Sequence, residues 1–207
     1  MSSSLLTKNA LARSLKKLML TTPLNKITIQ QLTADCGVTR HTFYNHFQDI
    51  YDLLGWIYQL EVIEGLDQYC CIAGWKQGFL SVLRYTVNNK AMCLNTFHSL
   101  GREHLETFLY GVIYRVMIRV VEELDERDET GRALITEQVR RQARLDFADF
   151  YTLAILEQVI HWLRAGASSD PAGIVDKVAR IMDGSIARGL AHYWSAALPG
   201  DNRQVST

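Results

Sequence analysis

Between Thr28 and Leu54 the chain reads TIQQLTADCGVTRHTFYNHFQDIYDLL, a run of short-range start and stop signals for helices. Thr28 and Gln31 have the spacing of a capping box, in which hydroxyl and side-chain amide satisfy orphan backbone N–H groups. Ile29, Leu32 and Cys36 then form a narrow apolar stripe at helical spacing. Gly37 follows, the residue best able to adopt the left-handed conformation that stops a helix. Only Gly37-Val38-Thr39 separate this helix from the next, a turn length typical of helix-turn-helix units. Thr39 is placed to cap the second helix, whose inner side carries Phe43 and Phe47. Its outer side presents Arg40, His41, Thr42, Tyr44, Asn45 and His46, donors and planar groups suited to phosphates and base edges. A further helix starts near Gln48 or Asp49, where an acidic side chain suits the positive helix N-terminus.

On the N-terminal side, Leu11, Leu15, Leu18 and Met19 give an amphipathic helix over about residues 7–20, ended by Thr21-Thr22-Pro23. Residues 1–50 hold Lys8, Arg13, Lys16, Lys17, Lys26 and Arg40 against Asp35 and Asp49, a net +4. The whole chain of 207 residues is neutral, so the remainder carries −4. A basic head on an acidic body is the footprint of a small nucleic-acid reader joined to something else. Apolar content of 48% suits a globular core, and no apolar run reaches the length of a membrane span. The N-terminus lacks the order of a signal peptide, and a cytoplasmic location is expected. Cys36, Cys70, Cys71 and Cys93 have neither metal-knuckle nor disulfide-framework spacing, so no metal or cofactor is expected.

Beyond Asp49 the chain reads as helices joined by short connections. The helix from Asp49 is predicted to continue to about Tyr69, with Ile50, Leu53, Leu54 and Ile57 as its core stripe. Helices follow over about 74–88, 92–100 and 102–126, the last carrying apolar residues on more than one stripe. The acidic run Asp125–Gly131 reads as a solvated connection. A helix over about 133–165, with a bend before Asp146, leads to the linker Gly166–Ser169. Asp170-Pro171 restarts a single last helix that Pro199-Gly200 stops. The expected fold is all-α: a three-helix helix-turn-helix head over residues 1–48 and a helical body over 49–207.

The segment GVTRHTFYNHF resembles the turn and recognition helix of the TetR/AcrR family of bacterial transcriptional regulators, and the similarity extends from Ile27 to Leu54. The resemblance implies a homodimer that binds a palindromic double-stranded DNA operator, with an effector-responsive body. Thr28, Thr39, Arg40, His41, Thr42, Tyr44, Asn45 and His46 are then the DNA-contacting candidates, Arg40 best suited to guanine. One departure stands out: the family frequently has Lys where this chain has Ile50, which puts that phosphate contact in doubt.

Two heads must be held about one helical turn of DNA apart, roughly 34–36 Å, so the terminal helices are the candidate dimer surface. Phe147, Ile155, Val159, Trp162, Ile181, Ser185, Gly189 and Tyr193 are its expected residues. Candidate effector-pocket residues are Trp75, Tyr85, Phe97, His98, Phe108, Tyr110, Tyr114, Phe150 and Tyr151, although aromatics at helical spacing are commonly core. FYNHFQDIYDLLGWIYQLE and the Ser99–Arg102 segment are also similar to regulators of dihydroxyacetone kinase operons. That similarity implies a kinase-subunit-like protein coregulator in place of a small-molecule effector. Two other readings remain: a helical enzyme using Cys93, His98, Glu103 and His104, and a DNA-bound adaptor recruiting a protein. The enzyme reading lacks any nucleophile–base spacing or phosphate loop, so no catalytic activity is expected.

Overall fold

The computed structural model describes residues 3–99, 102–127 and 135–197, with ten α-helices and no strand among them. The head consists of α1 (Ser3–Leu18), α2 (Ile29–Cys36) and α3 (Arg40–Tyr44). Then come α4 (Ile50–Glu61), α5 (Trp75–Asn88), α6 (Lys90–Phe97) and α7 (Arg102–Arg127). The chain closes with α8 (Glu137–Arg164), α9 (Pro171–Met182) and α10 (Ser185–Ala197). Leu11, Leu15, Leu32, Phe43 and Leu53 are fully buried together and fix the head on the start of α4. In the body α7 and α8 run antiparallel, since Asp125 meets Arg140 at one end and Tyr110 meets Asp149 further along.

Several expected boundaries are corrected. Helix α4 stops at Glu61, where Val62 turns to φ −118°, and the chain proceeds through 3-10 turns at Ile63–Gly65 and Asp67–Tyr69. This tighter winding buries Leu66 and brings Tyr69 against α5. Helix α8 is continuous through Asp146; the expected start at Ala133 lies outside the described residues. The last helix is two helices, broken at Asp183-Gly184, with Gly184 at φ +64°, a conformation that suits glycine. The stop at Pro199-Gly200 lies outside the described residues, as do Leu100 and Gly101.

The run expected to be a solvated connection begins inside α7, and Asp125 is fully buried. Its carboxylate accepts from Arg140 at 2.5 Å and from Arg144 at 3.0 Å, and Arg144 also pairs with Glu137. Arg140 is itself buried and stacks over Trp194, 5.6 Å from the ring centroid. A buried carboxylate held by two guanidiniums ties the far end of the α7–α8 pair to α10. Residues 128–131 of that run lie outside the described residues.

Candidate nucleic-acid interface and control body

The local signals between Thr28 and Phe47 produce the geometry they imply. The Thr28 hydroxyl accepts from the Gln31 amide at 3.2 Å, and the Gln31 side chain accepts from the Thr28 N–H at 2.9 Å. Gly37 ends α2 at φ +69°. Thr39 opens α3 by accepting from the Thr42 N–H at 3.0 Å. Phe43 (0% exposed) and Phe47 (4%) pin α3 inward, 6.0 Å apart between ring centroids.

The other side of α3 faces out. Arg40, His41, Tyr44 and Asn45 are exposed, and Thr42 and His46 are half-buried. Thr28 and Thr39 are exposed as well, but their hydroxyls already serve as caps. Their backbone placement therefore matters more than a free hydroxyl.

The basic surface of the head is partly consumed internally. Lys16 pairs with Glu61 at 2.8 Å and Lys17 with Asp35 at 2.5 Å, and the Lys17 contact holds the Asp35 carboxyl below the usual carboxylate range. Lys8 lies over Phe47 and Trp56, 5.4 and 5.7 Å from their centroids. Arg13, Lys26 and Arg40 stand exposed. Ile50 is half-buried against the core, so it packs where a lysine would reach outward.

The aromatic residues proposed for an effector pocket do not converge. Phe150 is 67% exposed and His98 is exposed, so neither lines an interior space. Phe97 is buried under Arg102, Tyr110 donates to Asp149 at 2.5 Å and stacks on Tyr114, and Tyr151 donates to Ser185. Donation to Asp149 pushes the Tyr110 hydroxyl up to about 12. Of the nine, Trp75, Tyr85 and Phe108 border interior voids.

One void, about 30 Å³, lies between α5, α7 and α8 and is walled by Trp75, Phe79, Val82, Leu109, Val112 and Val159 among others, all apolar. The second, about 20 Å³, adjoins it through Val82, Leu109 and Val159 and reaches Tyr58, Tyr85 and Cys93. Burial raises the Tyr58 and Tyr85 hydroxyls, Tyr85 also by donating to Glu61, and pushes the Cys93 thiol up to about 11. Most of this lining was not legible as a site, because its aliphatic residues carry the same signal as core.

The expected dimer residues divide. Ile155, Val159 and Trp162 are buried within the chain at 4%, 2% and 3% exposure, and Trp162 donates to the Ser169 carbonyl. These three belong to the monomer's interior. Phe147 meets Tyr193 edge to face, and a Cβ at Gly189 would come within 2.6 Å of the Phe147 ring. Gly189 thus lets α10 approach α8 inside one chain. Ser185 is half-buried, and Ile181 is 67% exposed. Phe150, expected in a pocket, and Leu153, in neither set, are 67% and 50% exposed on α8, since helical spacing alone does not tell a surface stripe from a core one.

Among the described residues no group of three or more His, Cys, Asp or Glu could hold a metal ion, and no helix is long and apolar enough to cross a membrane. His104 stacks on Tyr51 at 4.9 Å, and Cys93 is buried elsewhere, so the residues of the enzyme reading do not assemble.

A capped helix-turn-helix head seated on a helical body is the architecture of a transcription regulator. Residues 74–184 match the family model of the TetR transcriptional regulator C-terminal region, and the chain belongs to that family. It is 30% identical over 90 residues to the HTH-type dhaKLM operon transcriptional activator DhaS of Lactococcus lactis. That match covers 44% of this chain and 48% of the relative, so the chain spans about half the length of the curated relative it matches. Among solved structures, the dihydroxyacetone kinase operon activator DhaS superposes with a TM-score of 0.64 at 18% identity, over 88% of this chain and 97% of that one. NalD, the secondary repressor of the MexAB-OprM multidrug efflux pump in Pseudomonas aeruginosa, gives 0.55 at 16% identity, over 87% and 96%. At these identities the two structures establish likeness of fold.

Proposed function

We propose that the chain is a homodimeric reader of a palindromic operator, with α3 entering the major groove. The observation that carries this is the outward face of α3: Arg40, His41, Tyr44 and Asn45 stand exposed on a helix anchored by Phe43 and Phe47. Arg40 sits in the first turn of α3, where a guanidinium can take both acceptors of a guanine. Thr39 and His41 flank it, and Tyr44 and His46 supply phosphate contacts that fix register, while Thr28 holds the start of α2 in place. The second copy docks on Phe150, Leu153 and Tyr193, the exposed apolar residues of α8 and α10.

The control signal reaches the body from outside. Drug-sized ligands occupy pockets of roughly 300–1,000 Å³, whereas the cavities among α5 and α7–α10 hold about 30, 20 and 170 Å³, and the 480 Å³ cleft lies outside them, between α1 and α4. Filled interior space favours a protein coregulator, of the kinase-subunit-like kind, over an engulfed small molecule. The relative that is an operon activator supports an activating role at an operon.

The test is to select bound duplexes from random DNA and compare the wild type with Arg40→Ala. Arg40→Ala is expected to cost about 1–3 kcal/mol at its own base position and to relax preference there. If discrimination between the selected operator and random DNA is unchanged, Arg40 does not read a base. Specific binding that is insensitive to salt would count against a DNA reader altogether.

A further inference from the structure

Asn95, on α6 in the body, makes three hydrogen bonds to the head across more than 70 residues of sequence. Its amide nitrogen donates to the Met19 carbonyl at 2.8 Å and the Thr22 carbonyl at 2.7 Å. Its amide oxygen accepts from the Leu24 N–H at 2.8 Å. Two carbonyls needing donors and one N–H needing an acceptor fix which way the amide points. Met19 and Thr22 lie just past the end of α1, where carbonyls run out of helical partners. Asn95 therefore caps a head helix from the body.

The cap has a firm base. Met92, Cys93, Thr96 and Phe97 bury the inner side of α6, and Tyr58 on α4 meets the Thr96 hydroxyl at 3.2 Å. A second polar tie runs beside it: Tyr85 on α5 donates to Glu61 at 2.7 Å, and Lys16 on α1 donates to both oxygens of Glu61 at 3.0 and 2.8 Å. Both ties start from one place, since Tyr85 and Cys93 border the same small void.

We propose that Asn95, supported by the Lys16–Glu61–Tyr85 chain, is the positioning device that sets the head's angle on the body and thereby the half-site spacing the dimer accepts. Neither tie includes a residue of α3; both act through the seat of α1. This rests on the DNA-reading proposal above. Two heads on one rigid body can meet only one spacing along the duplex. A loosened seat lets them meet several.

The experiment uses the full-length dimer of wild type, Asn95→Ala and Glu61→Gln, with duplexes carrying two selected half-sites at stepped separations. Asn95→Ala is expected to reduce discrimination between the best separation and those one base pair away by about tenfold, the low end for three lost net hydrogen bonds. Preference for a single half-site over a scrambled one should stay unchanged. Glu61→Gln, which keeps an acceptor for Tyr85 but loses the ion pair, should broaden the profile in the same direction by less. An unchanged spacing profile overturns the proposal, as does a parallel loss at every spacing and at the single half-site.

Hydrogen exchange provides a readout independent of DNA. In Asn95→Ala the Leu24 amide should exchange about tenfold faster while the Leu32 and Phe43 amides keep their protection. If wild type binds no duplex specifically, the DNA-reading proposal fails, and exchange alone decides whether Asn95 seats the head. Equal Leu24 exchange in the two proteins then overturns that role.

Discussion

Replacing Asp125 by alanine gives the most direct measure of how the body is held together. The Asp125 side chain is 0% exposed and that of Arg140 only 5%, so the pair is removed from solvent screening. Deleting the carboxylate removes a 2.5 Å and a 3.0 Å charge-assisted hydrogen bond at once. Among the described residues it leaves buried Arg140 the Asp125 carbonyl, at 3.2 Å, and the Trp194 ring as partners. Breaking a buried pair in this way costs about 3–5 kcal/mol. The retained carbonyl and ring contacts place Asp125→Ala near the lower end, at about 3 kcal/mol. Arg144 contributes less, because it is 19% exposed and keeps Glu137. The assay is urea unfolding followed by circular dichroism at fixed protein concentration, since the stability of any oligomer depends on concentration. The midpoint should fall with the slope unchanged. Asp125→Leu combined with Arg140→Leu should recover most of the loss, because apolar replacement of a buried pair is often neutral. A cost below about 1 kcal/mol for Asp125→Ala would refute the reasoning, since it would mean that Arg140 reaches water once released.

Gly78→Ala would place a Cβ 2.8 Å from the Tyr69 Cβ; thermal unfolding should report a loss of about 1–3 kcal/mol from overpacking, and an unchanged Tm would mean that the Tyr69 turn shifts freely. Leu153→Glu puts a charge on an apolar residue already 50% exposed in one chain; sedimentation should show monomers with unchanged helix content, whereas an intact dimer would remove this face from the interface. The Cys93 thiol, 3% exposed and pushed up to about 11 by burial, stays protonated at pH 8; mass spectrometry should find its alkylation at least about tenfold slower than that of half-buried Cys71, and equal rates would place Cys93 at the surface.

What could be read from residues alone was local. Thr28, Gln31, Gly37, Thr39 and Asp170-Pro171 act within a few residues of themselves, so caps and turns follow from identity and spacing. The long apolar segments likewise announce helices, because period 3.6 is a property of one strand of sequence. Family resemblance then attached a DNA-reading role to the exposed side of α3.

Which apolar face meets which neighbour is a property of three dimensions, and there the tertiary structure decided. Ile155, Val159 and Trp162 carry the same stripe signal as Phe150 and Leu153, yet only the second pair stays on the surface. Asp125 looked solvated because acidic runs usually are; only folding brings Arg140 and Arg144 from α8 to balance its charge. Asn95 gave no signal in sequence, since its three partners lie more than 70 residues away. Short-range backbone chemistry specified the head. Long-range packing and pairing, which no local window contains, specified how that head is seated.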